Sequence, residues 1–352
     1  MKKLHVLFIG ILSLSTIYAQ DFSDVLRYSQ NEIQGTARFR ALSGAFGALG
    51  GDMSAVGLNP AGSVVFSQSH ASITGSVLGT DNTTQYFNGI TNTSESKFNI
   101  NQGGAAFVFR SNDRSSDWTK FALAFSYDRT NNHNSTWNAR GVNNTQDPDF
   151  SNSVASYFYD YADGKRLDQI SAFEDESISE AYRSIGDAYG FANQQAFLGY
   201  ESFILDPEFD TDDNTVYFAN VEPGNFDHNY TYIASGYNSK MSFNLATQYK
   251  NIISLCLNLN SHFMSYDRTT ILLEDNSNVG SFVNSIDFEN NLSTRGSGFS
   301  FQLGTIIKLT PELRAGLTYD SPIWYSIDEE TTQFVDTNVL ADLDIDPIDP
   351  GI

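Results

Sequence analysis

The residues best suited to chemistry lie in one glycine-rich stretch, "RALSGAFGALGGDMSAVGLNPAGSVVF", from Arg40 to Phe66. It holds Gly44, Gly47, Gly50, Gly51, Gly57 and Gly62 among small apolar residues, and places Asn59-Pro60-Ala61 before an apolar run. A dinucleotide loop needs Gly-x-Gly-x-x-Gly between a strand and a helix. Here Gly44, Gly47 and Gly50 are spaced by three and no βαβ pattern follows. A Walker loop needs Gly-Lys-Ser/Thr, which is absent. The remaining role is steric, because glycine lets backbone approach backbone closely and accepts φ > 0. Pro60 fixes its own φ and biases Asn59 away from helix, so the chain is expected to turn there. Two placements stay open: a plug folded into an enclosed space, or an ordinary N-terminal turn outside it.

Other chemistry is thin. His70, His133, His228 and His262 have no carboxylate or serine partner at a useful spacing, so no enzyme, metal or cofactor is expected. "DPEFDTDDN" (Asp206–Asn214) is acidic enough to suggest Ca²⁺, but it lacks the glycine and terminal glutamate of an EF-hand loop. A solvated acidic loop is expected. Cys256 is the one cysteine and reads as a small half-buried filler.

The chain carries 42 Asp and Glu against 20 Lys and Arg, a formal net charge of −22, which argues against binding nucleic acid. The charge is uneven. Residues 147–225 contain many carboxylates and only Lys165, Arg166 and Arg183 as cations, so this block is expected to be external and solvated. Residues 1–19 have a basic start, an apolar stretch and a small residue at a cleavage point, the pattern of a secretory signal. No later run is long and apolar enough for a membrane helix.

The strongest structural signal is period-two alternation. Phe121, Leu123, Phe125 and Tyr127 alternate with Lys120, Ala122, Ala124, Ser126 and Asp128. Met241, Phe243, Leu245 and Tyr249 do so with Ser242, Asn244, Ala246 and Gln248. Leu255, Leu257, Leu259 and Phe263 interleave with Ser254, Cys256, Asn258, Asn260 and His262. Segments from Phe299 and Leu313 follow the same rule, and weaker ones cover about 64–79 and 96–110. Successive strand side chains point to opposite faces. Seven strands result, each with one oily and one polar or small face. Leu255, Leu257 and Leu259 are expected to face lipid and Asn258 and Asn260 the interior, so Asn258 should accept Arg where Leu257 should not. Short connections at 111–117, 249–251 and 310–312 against long ones at about 80–95, 130–238 and 275–290 follow the pattern of an outer-membrane barrel. Short helices are expected within 152–161 and 177–195.

Three stretches carry a family resemblance: "RALSGAFGALGGDMSAVGLNPAG", "SGYNSKMSFNLATQYKNIISLCLNLN" and "TRGSGFSFQLGTIIKLTPELRAGLTYDSPIWY". In their order the chain resembles the FadL/TodX family of outer-membrane transporters for hydrophobic compounds, in the version common in Bacteroidetes. The resemblance implies a 14-stranded antiparallel transmembrane β-barrel with an N-terminal hatch in its lumen. It also implies passive passage of long-chain fatty acids or similar molecules, with exit through a gap in the wall. Gly44, Gly47, Gly50, Gly51, Asn59, Pro60, Ala61 and Gly62 inherit the hatch role by position. The substrate-contacting residues cannot be carried over.

The expected organisation is a signal at 1–19, a hatch at 20–62, the first half of a barrel at 63–335 with an external loop at 130–238, and an acidic loop at 336–352. Seven strands do not close a bacterial barrel, so the chain is expected to be part of a longer one. Expected partners are hydrophobic small molecules, outer-membrane lipid and the barrel-assembly machinery, with a monomer when complete. A general porin and a surface adhesion protein that binds through its acidic loops are the competing readings.

Overall fold

The structure is a computed structural model and describes residues 22–113, 115–145, 150–173 and 175–351. The signal expected at 1–19 lies outside the described residues. The fold is mostly antiparallel sheet, curled into a half-barrel that does not close. Among the described residues no helix is long and apolar enough to cross a membrane.

The wall has seven positions. In order they are β1 (His70–Tyr86), β2 (Gly89–Arg110), β3 (Trp118–Asn132) continued by β4 (Ser135–Asn143), β7 (Phe226–Tyr249), β8 (Ile253–Asn276), β9 (Ser285–Lys308), and β10 (Arg314–Asp320) continued by β11 (Trp324–Thr337). β3 and β4 occupy one position because both pair with β7, Asn132 opposite Tyr237 and Ser135 opposite Ala234. β10 and β11 likewise share β9. Their interruption falls at Ser321-Pro322, where proline cannot donate to the ladder. Ser321 bridges the break, donating its N–H to Phe301 O at 3.0 Å and accepting the Phe301 N–H on its Oγ at 3.0 Å.

Alternation sets the two faces. Phe125, Phe243, Leu255, Leu259, Leu303 and Leu317 are exposed on the convex side, while Ala122, Ala124, Ser242, Asn244, Asn258 and Gln302 are buried on the concave side. The inward and outward sets match those read from the alternation. The strands are taller than those sets suggested. β7, β8 and β9 each have 24 residues, against about 9–11 for a crossing of hydrocarbon. The oily band covers their lower halves. Above it the outward face carries polar residues, as at Asp267, Thr269 and Asn291, while inward residues such as Ile286, Phe288 and Val335 are apolar and pack in the core of the cap, so the oily-out, polar-in alternation no longer marks the strand.

That loss of signal explains three corrections. Residues 80–95 are not a long loop but the upper parts of β1 and β2, joined through Phe87-Asn88. The connection expected at 275–290 shrinks to 277–284, and 130–238 contains β4 and the top of β7. β1 begins at His70 rather than 64, because Pro60–Val65 forms a 3₁₀ helix. One discontinuity interrupts the wall: β2 pairs with β3 only from Gln102 opposite Asp128 downward. Above that level the β1–β2 hairpin leaves its neighbour and folds against β4.

The 147–225 block is also corrected. Its carboxylates are external, but it is not merely solvated. It contains α4 (Ala155–Ala162), α5 (Ile178–Tyr189), α6 (Phe191–Glu201) and the small ribbon β5–β6 (Leu205–Pro207, Tyr217–Ala219). α4 and α5 fall where short helices were expected, give or take a residue, whereas α6 runs on to Glu201, past the expected end at 195. Ser177 and Glu180 form a capping box that starts α5, and Gly190 at φ +84° separates it from α6. Phe158, Phe197, Leu198 and Ile204 pack with Ile286, Val335 and Leu340 into the largest apolar core among the described residues. That core caps the upper end of the wall. Asp206, Asp210, Asp212 and Asp213 stay on its outer surface.

Arg at Leu259, inside the oily band, is expected to destabilise the protein by about 2–4 kcal/mol in lipid vesicles, and Arg at Thr269, above it, by about 0–1 kcal/mol. Urea midpoints of the two variants check this. Equal costs would exclude a lipid-facing belt.

Candidate functional site

The segment expected to act as a hatch, called the hatch below for its position, is built from α2 (Ala37–Ala41), α3 (Met53–Val56) and the 3₁₀ helix Pro60–Val65. It lies on the concave face at the lower end of the wall. Asp52 caps α3 through the Ser54 N–H at 3.0 Å and accepts from Thr36 Oγ1. Asn59 sits at φ −134°, ψ 107°, caps the 3₁₀ helix by accepting the Ala61 N–H at 3.1 Å, and has Pro60 as the first helical residue.

The wall meets the hatch carbonyl by carbonyl. Asn258 Nδ2 donates to Val56 O at 3.0 Å, Lys240 Nζ to Gly57 O at 2.9 Å, Gln302 Nε2 to Gly57 O and Leu58 O at 3.3 Å each, and Asn244 Nδ2 to Pro60 O at 3.0 Å. The Asn59 carbonyl takes the Gly62 N–H at 2.9 Å. The amides also bind one another: Asn244 Nδ2 donates to Asn258 Oδ1 at 2.6 Å, and Asn258 Nδ2 to Gln302 Oε1 at 3.1 Å. Asn59 Nδ2 donates to Gly47 O at 2.6 Å and to Thr305 O of β9 at 3.1 Å. Lys120 Nζ reaches Val64 O and Phe66 O.

The expected hatch residues therefore come together, for differing reasons. Gly44, Gly50 and Gly51 have positive φ of 73°, 61° and 67°. A Cβ on Gly50 would come within 2.8 Å of Val65 Cγ2 and 2.9 Å of Gly62 Cα. Ala61 and Pro60 are buried against the wall. Gly47 is a correction: a Cβ there meets nothing within 4 Å, so its contribution is its carbonyl and not its size. The wall adds two glycines that spacing did not reveal. Gly304 leaves the room that Asn59 and Pro60 occupy, and Gly316 the room for the Gly47 carbonyl. Asn258 corrects another expectation, since it is fully buried and committed to the hatch, and Arg there would break the clamp.

Above the hatch, the segment after α1 (Phe22–Ser29) straps across the concave face. Asn238 Nδ2 donates to Arg27 O, the Arg27 guanidinium lies 3.9 Å from the Tyr266 ring centre, and Glu32 N donates to Thr130 O at 2.8 Å. Between strap and hatch is a polar cavity of about 420 Å³ bordered by Glu32, Leu58, Asp128, Lys240 and His262.

A second space lies at the upper mouth, under the start of the cap. Its volume is about 590 Å³, and Trp137, Ala139, Val154, Tyr230 and Leu272 supply apolar walls. Trp137 is wedged between Tyr230 and Tyr232, with ring centres 5.4 and 5.3 Å away. The tip of the β1–β2 hairpin closes one side. Gly89 and Gly141 let it cross β4 backbone against backbone, which carries Tyr86 into the mouth. The Tyr86 hydroxyl is 2.8 Å from His228 Nδ1, His228 Nε2 is 2.7 Å from Glu274 Oε2, and Glu274 accepts from Ser153 Oγ and from the Val154 N–H at 2.8 Å. Burial, and then the Glu274 charge, push the Tyr86 hydroxyl above its usual pKa. These partners correct the view of isolated histidines: His228 meets Glu274 and Tyr86, and His262 meets Ser300 at 2.8 Å. They come from different strands, so spacing along one segment holds no trace of them.

The acidic stretch 206–214 closes on Asn214, which accepts from the Phe209 N–H and donates to Val216 O. Among the described residues no group of three or more His, Cys, Asp or Glu is placed to hold a metal. No protein-family model matches the chain, and no curated protein matches it significantly.

Gly50→Ala and Gly304→Ala are each expected to lower stability by about 1–3 kcal/mol through crowding, and Gly47→Ala by less than about 0.5 kcal/mol. Chemical denaturation of the three variants gives the order. An equal loss at Gly47 would show that the hatch does not sit as described.

Proposed function

We propose that this chain belongs with the FadL/TodX-type transporters and forms part of an outer-membrane β-barrel wall that passes hydrophobic small molecules without an energy source. The observation that carries this reading is the pairing of two features on one concave face: an apolar cavity at the upper mouth and a hydrogen-bonded hatch at the lower end. A molecule leaving water gains from burial in the first, at roughly 25 cal/mol per Å² of apolar surface. The second blocks free diffusion of polar solutes. The parting of β2 from β3 above Gln102 supports a sideways exit through the wall. The open-porin reading is disfavoured by the same clamp, because Asn244, Asn258 and Gln302 bind hatch backbone instead of lining water.

The oily convex band supports placement in a bilayer. Strands can span one only if their backbone groups are paired, and among the described residues the outer edges of β1 and of β10–β11 carry no partner strand. Under this proposal further strands complete the wall.

Deleting residues 40–58 is expected to raise single-channel conductance in planar bilayers, while Ala139→Trp lowers uptake of hydrophobic substrate and leaves conductance unchanged. An inserted deletion variant with parental conductance would remove the hatch from the mechanism.

A further inference from the structure

We propose that the mouth cavity selects uncharged lipophilic molecules bearing one hydroxyl group, such as medium-chain alcohols or alkylphenols, and turns away fatty carboxylates. The inference rests on the reading that this cavity receives the transported molecule, and it narrows the class named there.

The first support is charge. Among the described residues that border the cavity there is no Lys or Arg. Apart from the phenols of Tyr86 and Tyr230, the ionisable group among the described lining residues is His228, and behind it stands Glu274, which is 1 % exposed. With His228 neutral the pair carries one negative charge. With His228 protonated the pair is neutral, and its positive charge is already directed at Glu274. In neither state does a ligand carboxylate find a counter-ion, and an unpaired charge in an apolar site is costly. Arg140 lies close in sequence to the lining residue Ala139, but it is exposed and paired with Asp227 at 3.0 Å. Arg183 and Arg268 border a second cavity of about 400 Å³ that shares no lining residue with this one.

The second support is the valence left on Tyr86. If His228 is neutral, Nε2–H donates to Glu274 and Nδ1 accepts the Tyr86 proton; of the two lone pairs on the phenol oxygen the Asn143 side chain takes one and the other is left for the cavity. If His228 is protonated, Nδ1–H donates to the phenol oxygen and the Tyr86 proton is left for the cavity. A hydroxyl is both donor and acceptor, so it satisfies Tyr86 in both cases. An alkane satisfies neither. The apolar body then lies along Trp137, Tyr230 and Leu272.

The test uses Trp137 as reporter. The sequence has three tryptophans. Trp118 and Trp324 are exposed on the convex face, so Trp118→Phe and Trp324→Phe leave one fluorophore in the protein held in amphipol. 1-Decanol, decanoate and decane are titrated at about pH 8, where decanoate is ionised. Decanol is expected to bind at least about tenfold more tightly than decanoate, an unpaired charge outweighing one hydrogen bond. Tyr86→Phe should weaken decanol about fivefold, to the level of decane, and leave decane unchanged. Glu274→Gln should narrow the gap between decanol and decanoate. Decanoate binding as tightly as decanol overturns the proposal, and so does an unchanged decanol-to-decane ratio in Tyr86→Phe, which can be read even if Glu274→Gln fails to fold. If decane also leaves Trp137 emission unmoved, the cavity is not the ligand site and the transport reading falls with it.

Discussion

The carbonyls from Val56 to Pro60 are five consecutive backbone acceptors inside the curl of the sheet, and each one has a donor. Four of the five are met by wall side chains. A buried polar group left without a partner costs about 1–3 kcal/mol, so this turn can occupy the interior only if the wall supplies amides at the right heights. That requirement fixes much else. Asn244, Asn258 and Gln302 must stand side by side on β7, β8 and β9, which their register achieves. Gly304 and Gly316 must lack side chains. The amides are bonded to one another, so losing one carbonyl unbalances its neighbours. The clamp is therefore a cooperative unit, and shifting the hatch by one contact at a time is more costly than moving it whole.

Among the described residues the largest apolar core lies elsewhere, in the cap. A wall with a polar interior and an oily exterior has little to bury on its own concave side, apart from small clusters such as Val64 with Ala122 and Ala246. Phe158, Phe197 and Ile286 supply the burial that the tall strand ends need above the oily band. The cap also seats Ser153 and Val154 over Glu274, which orients His228 and, through it, Tyr86. The packing of the cap and the polar end of the mouth cavity are thus one structure.

Alternation alone determined that there are seven wall positions and, within the lower halves of the strands, which side each residue takes, because a strand with one oily face must repeat every two residues. Composition and breakers also placed α4, α5 and the start of α6, and the glycines with Asn59-Pro60 marked a segment that fits where space is short. Tertiary structure decided the rest. The strands continue through 80–95 without an oily face because the ladder from Gly79 opposite Ser96 to Tyr86 opposite Gly89 is held by backbone pairing, which asks nothing of the side chains. The acidic block hides a core because its carboxylates stay at the surface while Phe158, Phe197, Leu198 and Ile204 turn inward, which a charge count averages away. Gly47 and Gly50 look alike in the sequence, yet only Gly50 is crowded, since the difference depends on Val65 and Gly62 folding back. Tyr86, His228 and Glu274 are separated by 142 and 46 residues. They meet only because β1, β7 and β8 converge at one mouth, a consequence of how the sheet curls and not of any local pattern.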